Sequence, residues 1–478
     1  MSFTLSQLIP AIPEVFVTIM IAVTILVSLF LGEKHRNATF YLTQATLLIC
    51  TLLTVNIFHH QTQIAFHNSF IVDHMACILK VFVYAMTFLS LLYAQPYLRG
   101  TELGAGEFYI LTLFVVLGMM VLISAYSFIT LFIGLELFSL PLYAMIAMQR
   151  TAVTAEAAMK YFVLGSSASA FLLFGMSMVY GATGALTIPD IQNAVLLHSP
   201  TIAILGLIFI LAAVAFKLGA APFHMWIPDV YEGAPLPVTL ILASATKIAA
   251  FVLAIRLLVN ALPLLTNQWQ HMLIFVAILS MLIGNLVAIV QTNIRRMLAY
   301  SSIAQMGYML LGLVSGIGVG FGAAMFYIIV YAIMSLGAFG VLMLISRTGF
   351  EVHSINDLRG LNRRNPWLAF MMLLVMFSMA GIPPSAGFFA KIAVLVALVH
   401  VHLVWLAALA LIFAIIGAYY YLCVVKVMYF EEPEETSLIE INGLGKQLGI
   451  SVNCLMVLVL GILPTGLFQL CQAAFVGG

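Results

Sequence analysis

Charge is what this chain has least of. Only 7% of its 478 residues are Asp, Glu, Lys or Arg, while 64% are hydrophobic. Soluble domains carry roughly 25% charged residues, so a large soluble protein is excluded and an integral membrane protein is expected. Phosphate-binding signatures are missing too, since no GxGxxG or Walker-type loop follows a strand-like run. The five cysteines (Cys50, Cys77, Cys423, Cys454 and Cys471) form no CxxC pair. A disulfide framework and cluster ligation therefore both lack support. No cleavable signal is expected, because the first apolar run is too long and no small-residue cleavage site follows it. The polypeptide is expected to bind no nucleotide, to hold no redox centre, and to have the lipid bilayer, not nucleic acid, as its partner.

What the chain does have is long apolar runs. A membrane-crossing helix takes about 20 residues, and fourteen such stretches fit the sequence. The expected fold class is an all-α polytopic membrane protein with about 14 transmembrane helices. Span five is read at 126–148, span seven at 201–224, span eight at 237–260, span ten at 297–317 and span twelve at 366–399. The basic residues outside spans, from Lys34 and Arg36 to Arg364 and Lys446, all fall in odd-numbered connections. The positive-inside rule then puts both termini outside, in the periplasm of a Gram-negative cell, with the chain in the inner membrane.

Two spans are interrupted. Gly219 and Pro222 break span seven within FKLGAAPFHMWIPDVYEGAPLP, and Gly381, Pro383, Pro384 and Gly387 break span twelve within MAGIPPSAGFFAK. The breaks are five spans apart, which suggests two five-helix repeats, spans four to eight and nine to thirteen. Five is odd, so the repeats are inverted in the membrane. Inverted repeats with broken helices near the midplane are a transporter signature. Four segments follow: an N-terminal three-helix part (1–100), a first repeat (101–261), a second repeat (262–430), and an acidic loop with span fourteen (431–478).

The charges that do enter spans are the candidates for chemistry. Glu136 lies about ten residues into span five, near the midplane at roughly 1.5 Å per residue. Lys247 has a similar depth in span eight, and Lys217 and Lys391 sit beside the two breaks. One deep carboxylate thus faces three deep lysines, and full ionisation would leave two uncompensated positive charges. Burial disfavours a charged amine and a nearby carboxylate favours it, so at least one lysine is expected to rest neutral and to accept a proton in turn. That is a proton relay. The alternative is a static Glu136–Lys217 ion pair, though buried pairs are weak evidence for stability. A sodium path would call for carboxylates and carbonyls rather than amines.

Other polar residues are weaker candidates. His224 follows the first break and suits a proton shuttle, or is simply hydrogen-bonded. Lys160, Arg256 and Lys426 are read as snorkelling near span ends. Asp73 and Lys80 are read as a pair on one helix face, and Asp229 and Glu232 as solvated loop acids. Glu431, Glu432, Glu434 and Glu435 are read as an exposed acidic loop. Tyr300, Ser301, Ser302, Gln305 and Tyr308 line span ten, where they order water or pack helices.

AYSSIAQMGY (Ala299 to Tyr308), FKLGAAPFHMWIPDVYEGAPLPVT (Phe216 to Thr239) and AGIPPSAGFFAK (Ala380 to Lys391) resemble the antiporter-like membrane subunits of proton-pumping NADH–quinone oxidoreductase, respiratory complex I. The likeness spans most of the chain. Of three homologous subunits, it is similar to the one with no long lateral helix and with a lysine, not a glutamate, in span twelve. The resemblance implies that Glu136 partners the span-seven lysine Lys217, that Lys247 is the central relay lysine, and that Lys391 leads outward. Many relatives have histidine where this chain has Gln305. The family further implies that NADH, FMN, iron–sulfur clusters and quinone bind partner subunits. A related cation/proton antiporter of the Mrp type, and a membrane-arm spacer without translocation, remain the rival readings.

Overall fold

The computed structural model describes residues 5–31, 36–58, 62–100, 105–194, 200–346, 351–433 and 444–476. Lys34, Arg347, Glu434 and Glu435 lie outside the described residues. Among the described residues, thirteen helices are long and apolar enough to cross a membrane, and Pro366–Ala380 and Ala386–His400 are two shorter apolar ones. The last two are the halves of span twelve. The chain is accordingly a helical, multi-pass membrane protein.

Local sequence explains where the helices begin and end. Asp73 accepts from the Ala76 N–H at 2.8 Å at the start of span three (His74–Gly100). Ser127 caps span five (Phe128–Ala147), and Thr151 and Thr154 form a reciprocal capping box at span six (Ala152–Thr183). Asn293 accepts from the Arg295 and Arg296 backbone N–H groups in the first turn of span ten (Ile294–Val314). Asn365 and Pro366 open span twelve in the favoured cap-then-proline order. One feature without a clear sequence signal is a short hairpin, Gln63–Ala65 against Phe70–Val72, before span three.

Two compact units divide the chain, cut between Lys217 and Leu218 and between Lys247 and Ile248. The first holds residues 1–91, 101–217 and 248–269. In it spans four (Ala105–Ile123) and five pack closely, because Gly118 and Gly134 leave no room for a side chain between them. The second holds residues 92–100, 218–247 and 270–478. Spans ten and eleven (Gly318–Ile345) are buried over 94% of their apolar windows, against 28% for spans one and fourteen. These two therefore face protein rather than lipid, which is why their polar residues are tolerated.

The first break is longer than expected. Span seven runs as helix only over Pro200–Leu218, and a short helix, Trp226–Gly233, follows before span eight. Gly219 has φ +77, a left-handed conformation that ends the helix and that glycine adopts without penalty. Gly381, at φ +86, does the same after Pro366–Ala380. Each break also contains one cis peptide bond, Ala221–Pro222 and Pro383–Pro384.

Span eight is broken as well. Helix Leu236–Ala243 stops at Ser244 (φ −117, ψ −82), and a new helix starts at Ala245. The freed Leu242 carbonyl accepts from Thr246 Oγ1 at 2.7 Å and Tyr231 Oη at 3.3 Å. Hydroxyls competing for backbone carbonyls are a known cause of such interruptions. A π-helical stretch, Ile255–Ala261, then ends the span.

Candidate functional site: buried lysines at broken helices

In the first unit, Lys217 is the last but one residue of its helix and is 7% exposed. Its Nζ donates to Ser139 Oγ at 2.9 Å and lies 5.6 Å from the Phe138 ring centroid. Glu136 is one turn before Ser139 on span five, only partly buried, and accepts from the Ser169 hydroxyl. The expected Glu136–Lys217 pair is therefore not in direct contact. Ser139 takes the ammonium and Ser169 the carboxylate, so the two charges face one region with each bonded to a hydroxyl.

In the second unit, Lys247 is 1% exposed and lies in the first turn after the Ser244 break. Its Nζ donates to the Leu218 carbonyl at 2.7 Å and sits 5.4 Å from the Trp226 ring. Leu218 is the last residue of the first half of span seven, whose terminal carbonyls have no helical partner. The same solution recurs at the second break. Lys391 Nζ donates to the Met379 and Ala380 carbonyls at 3.0 and 2.9 Å, at the end of Pro366–Ala380. It lies 5.1 Å from the Tyr308 ring, and the side chain is only part-buried. An ammonium against a helix C-terminus meets the negative end of the helix dipole.

Span ten contributes a hydroxyl and amide network. Gln305 Nε2 donates to the Met379 carbonyl and to Tyr421 Oη, both at 3.0 Å, and its Oε1 accepts from Tyr327. Tyr421 also shares a hydrogen bond of 2.5 Å with Ser301. Near the first break, His224 is 6% exposed, its Nδ1 has no partner among the described residues, and its ring lies 6.5 Å from that of Tyr300.

Several smaller expectations change. Asp73 and Lys80 do not pair: Lys80 binds Glu14, and Asp73 binds Arg256 at 2.7 Å. Helix geometry is the reason, since seven residues separate the first two by about 10 Å along the axis. Arg256 does not snorkel but is 1% exposed, with a second bond to the Ile123 carbonyl. Asp229 and Glu232 are not free loop acids, because Arg296 bonds both, at 2.7 and 2.9 Å. Glu431 and Glu432 pair with Arg359 and Arg363. Lys160 is half-exposed and paired with Glu156, and Lys426 is exposed. Among the described residues no cluster of three His, Cys, Asp or Glu could hold a metal.

The family described as NADH:quinone oxidoreductase/Mrp antiporter, TM, matches residues 125–417. The chain is 53% identical over 480 positions to NADH-quinone oxidoreductase subunit N of Coxiella burnetii, covering 98% of this chain and 99% of that one. It is 50% identical to the protein of the same name from Thiobacillus denitrificans, covering 99% of each. Among solved structures, a chain of respiratory complex I from Thermus thermophilus superposes with TM-score 0.83 at 31% identity, over 96% of this chain and 99% of that one. A chain of the Mrp complex from Dietzia superposes with TM-score 0.88 at 20% identity, over 99% and 98%, a likeness of fold alone.

Proposed function

The chain belongs to the NADH:quinone oxidoreductase/Mrp antiporter membrane family, and from that premise we propose that it is a proton-translocating membrane subunit of a bacterial NADH–quinone oxidoreductase. It works within respiratory complex I, beside other membrane and peripheral subunits that include its antiporter-like homologues. NADH, FMN, iron–sulfur clusters and quinone belong to those partners. The alternation of basic connections supports a place in the inner membrane with both termini periplasmic.

Glu136, Lys217, Lys247 and Lys391 carry the proton, with His224 on the uptake side. A proton reaches the first break, loads Lys217 and Lys247 in turn, and moves through the span-ten network toward Lys391. The observation that carries this reading is the shared arrangement at the breaks. Lys247 and Lys391 each bind the terminal carbonyls of an interrupted helix. An ammonium is stabilised there only while it stays charged, and on losing its proton it also loses much of the reason to stay. Each break is thus a place where protonation and side-chain position change together. The recurrence of helix end, left-handed glycine, proline and lysine also supports inverted repeats over 101–261 and 262–430, between segments 1–100 and 431–478.

The test is the ratio of protons moved to quinone reduced, in assembled complex carrying Lys217→Ala or Glu136→Ala. The reading expects quinone reduction coupled to diminished pumping. Normal quinone reduction with undiminished pumping in both variants contradicts it.

A further inference from the structure

The second unit carries an ionic cluster that the relay does not use. Asp229 and Glu232 lie three residues apart on helix Trp226–Gly233, directly after the first break, so they share one face. Arg296, in the first turn of span ten, bonds Asp229 at 2.7 Å and Glu232 at 2.9 Å. Asn293, the cap of the same span, donates to the other Glu232 oxygen at 2.9 Å. All three charged side chains stay about a third exposed, at 32%, 36% and 29%. They are therefore ordered, yet still reach water.

The other charged groups around them are accounted for. Arg295, next along span ten, is committed to Glu351 at 2.6 Å and to the Val352 carbonyl, and the Tyr97 hydroxyl also binds Glu351. His353, from the segment before span twelve, is a further titratable group that feels Glu232. Burial and the nearby Arg295 hold this imidazole below its ordinary range, which keeps it neutral near pH 7. Two carboxylates against one guanidinium leave the cluster with one net negative charge.

Its place makes that charge useful. Tyr300 follows Arg296 by one helical turn and lies against His224, 6.5 Å between ring centroids. His224 is nine-tenths buried and keeps an unbonded Nδ1 among the described residues. The buried His224 ring thus lies beside Tyr300, which is one helical turn along span ten from an anionic cluster about a third exposed to water.

We propose that Asp229 and Glu232, positioned by Arg296, capture protons from the aqueous phase and feed them to His224 at the first broken span. A carboxylate oxygen takes a proton from water or a buffer acid and forms an O–H bond. That bond breaks as the proton moves on toward the imidazole, and the carboxylate is restored. No electron is exchanged. The net negative charge raises the local proton supply, as charge focusing does for other cations, and salt weakens it over a Debye length of about 8 Å. This inference rests on the relay described above and adds its collecting groups.

The experiment is NADH-driven proton pumping by whole complex in vesicles, followed against pH for Asp229→Asn, Glu232→Gln and the double variant. Capture limits the rate only where protons are scarce. The double variant is expected to lose about tenfold near pH ~9, the low end of what focusing contributes, and little near pH ~6. Each single variant keeps one Arg296 bond and is expected to lose less, in the same direction. Imidazole buffer, a mobile proton carrier, is expected to restore the alkaline rate. Equal loss at every pH, or a parental profile in all three variants, overturns the proposal. Lys217→Ala keeps the two ideas separate: its loss of pumping is expected at every pH, so it tests the relay and not the collecting groups.

Discussion

Lys391 and Gln305 donate to one and the same carbonyl, that of Met379, each at 3.0 Å. The second break is therefore held from two sides, by an ammonium that can lose its proton and by an amide that cannot. If Lys391 lets go during turnover, Gln305 still keeps Met379 bonded. That division of labour leads to the first prediction. Gln305→Leu leaves the buried Tyr327 hydroxyl without its acceptor and is expected to cost about 1–3 kcal/mol. Gln305→His, which keeps a donor and an acceptor, is expected to recover most of it. Thermal unfolding of the purified complex measures both.

The left-handed glycines carry a second prediction. A methyl group on Gly381 would sit 3.1 Å from Lys391 Nζ, and one on Gly219 would sit 1.8 Å from Ile227 Cδ1. Backbone cost alone is about 1–2 kcal/mol for a non-glycine residue in that conformation. Gly219→Ala is expected to be the more damaging, because it adds a clash with a buried branched side chain. The yield of assembled complex in membranes checks the order, and equal yields would contradict it.

A third concerns Arg256, which is nearly without exposure and whose charge is matched by Asp73. Asp73→Ala strands that guanidinium and also removes the cap of span three. A loss of about 3–5 kcal/mol is expected, and the double variant Asp73→Ala with Arg256→Leu is expected to be less damaged than Asp73→Ala alone. Assembly and thermal midpoint of the two variants provide the comparison.

A fourth is a pH dependence. Burial pushes the Glu351 carboxyl up, but the Arg295 guanidinium and the Tyr97 hydroxyl outweigh it and hold the group below its ordinary 4.5. A carboxyl depressed in the folded state adds stability above its unfolded value and loses it as pH falls through the folded one. The parent is therefore expected to lose thermal stability below pH 4.5 more steeply than Glu351→Gln. Parallel slopes would contradict this.

Much of this arrangement is legible in the sequence, because a bilayer punishes exceptions. Apolar length gives the spans, glycine and proline give both breaks, and a lysine in an apolar run announces itself. Partners are another matter. Arg256 meets Asp73 across 183 residues, and nothing local to either distinguishes that pair from snorkelling. Lys247 binds a backbone carbonyl, which leaves no residue type to search for. The Ser244 interruption had a signal in Ser244 and Thr246, two hydroxyls inside span eight, but hydroxyls also pack between helices without breaking them.

The central claim is that the buried lysines gain and lose protons as quinone is reduced. Isotope-edited infrared difference spectra, recorded on turnover in complex whose lysine side chains carry heavy nitrogen, test it most directly. The account predicts amine bands that change on starting the reaction and that shrink in Lys247→Arg and Lys391→Arg. Spectra in which every lysine of this chain stays charged, and which turnover leaves unchanged, would contradict it.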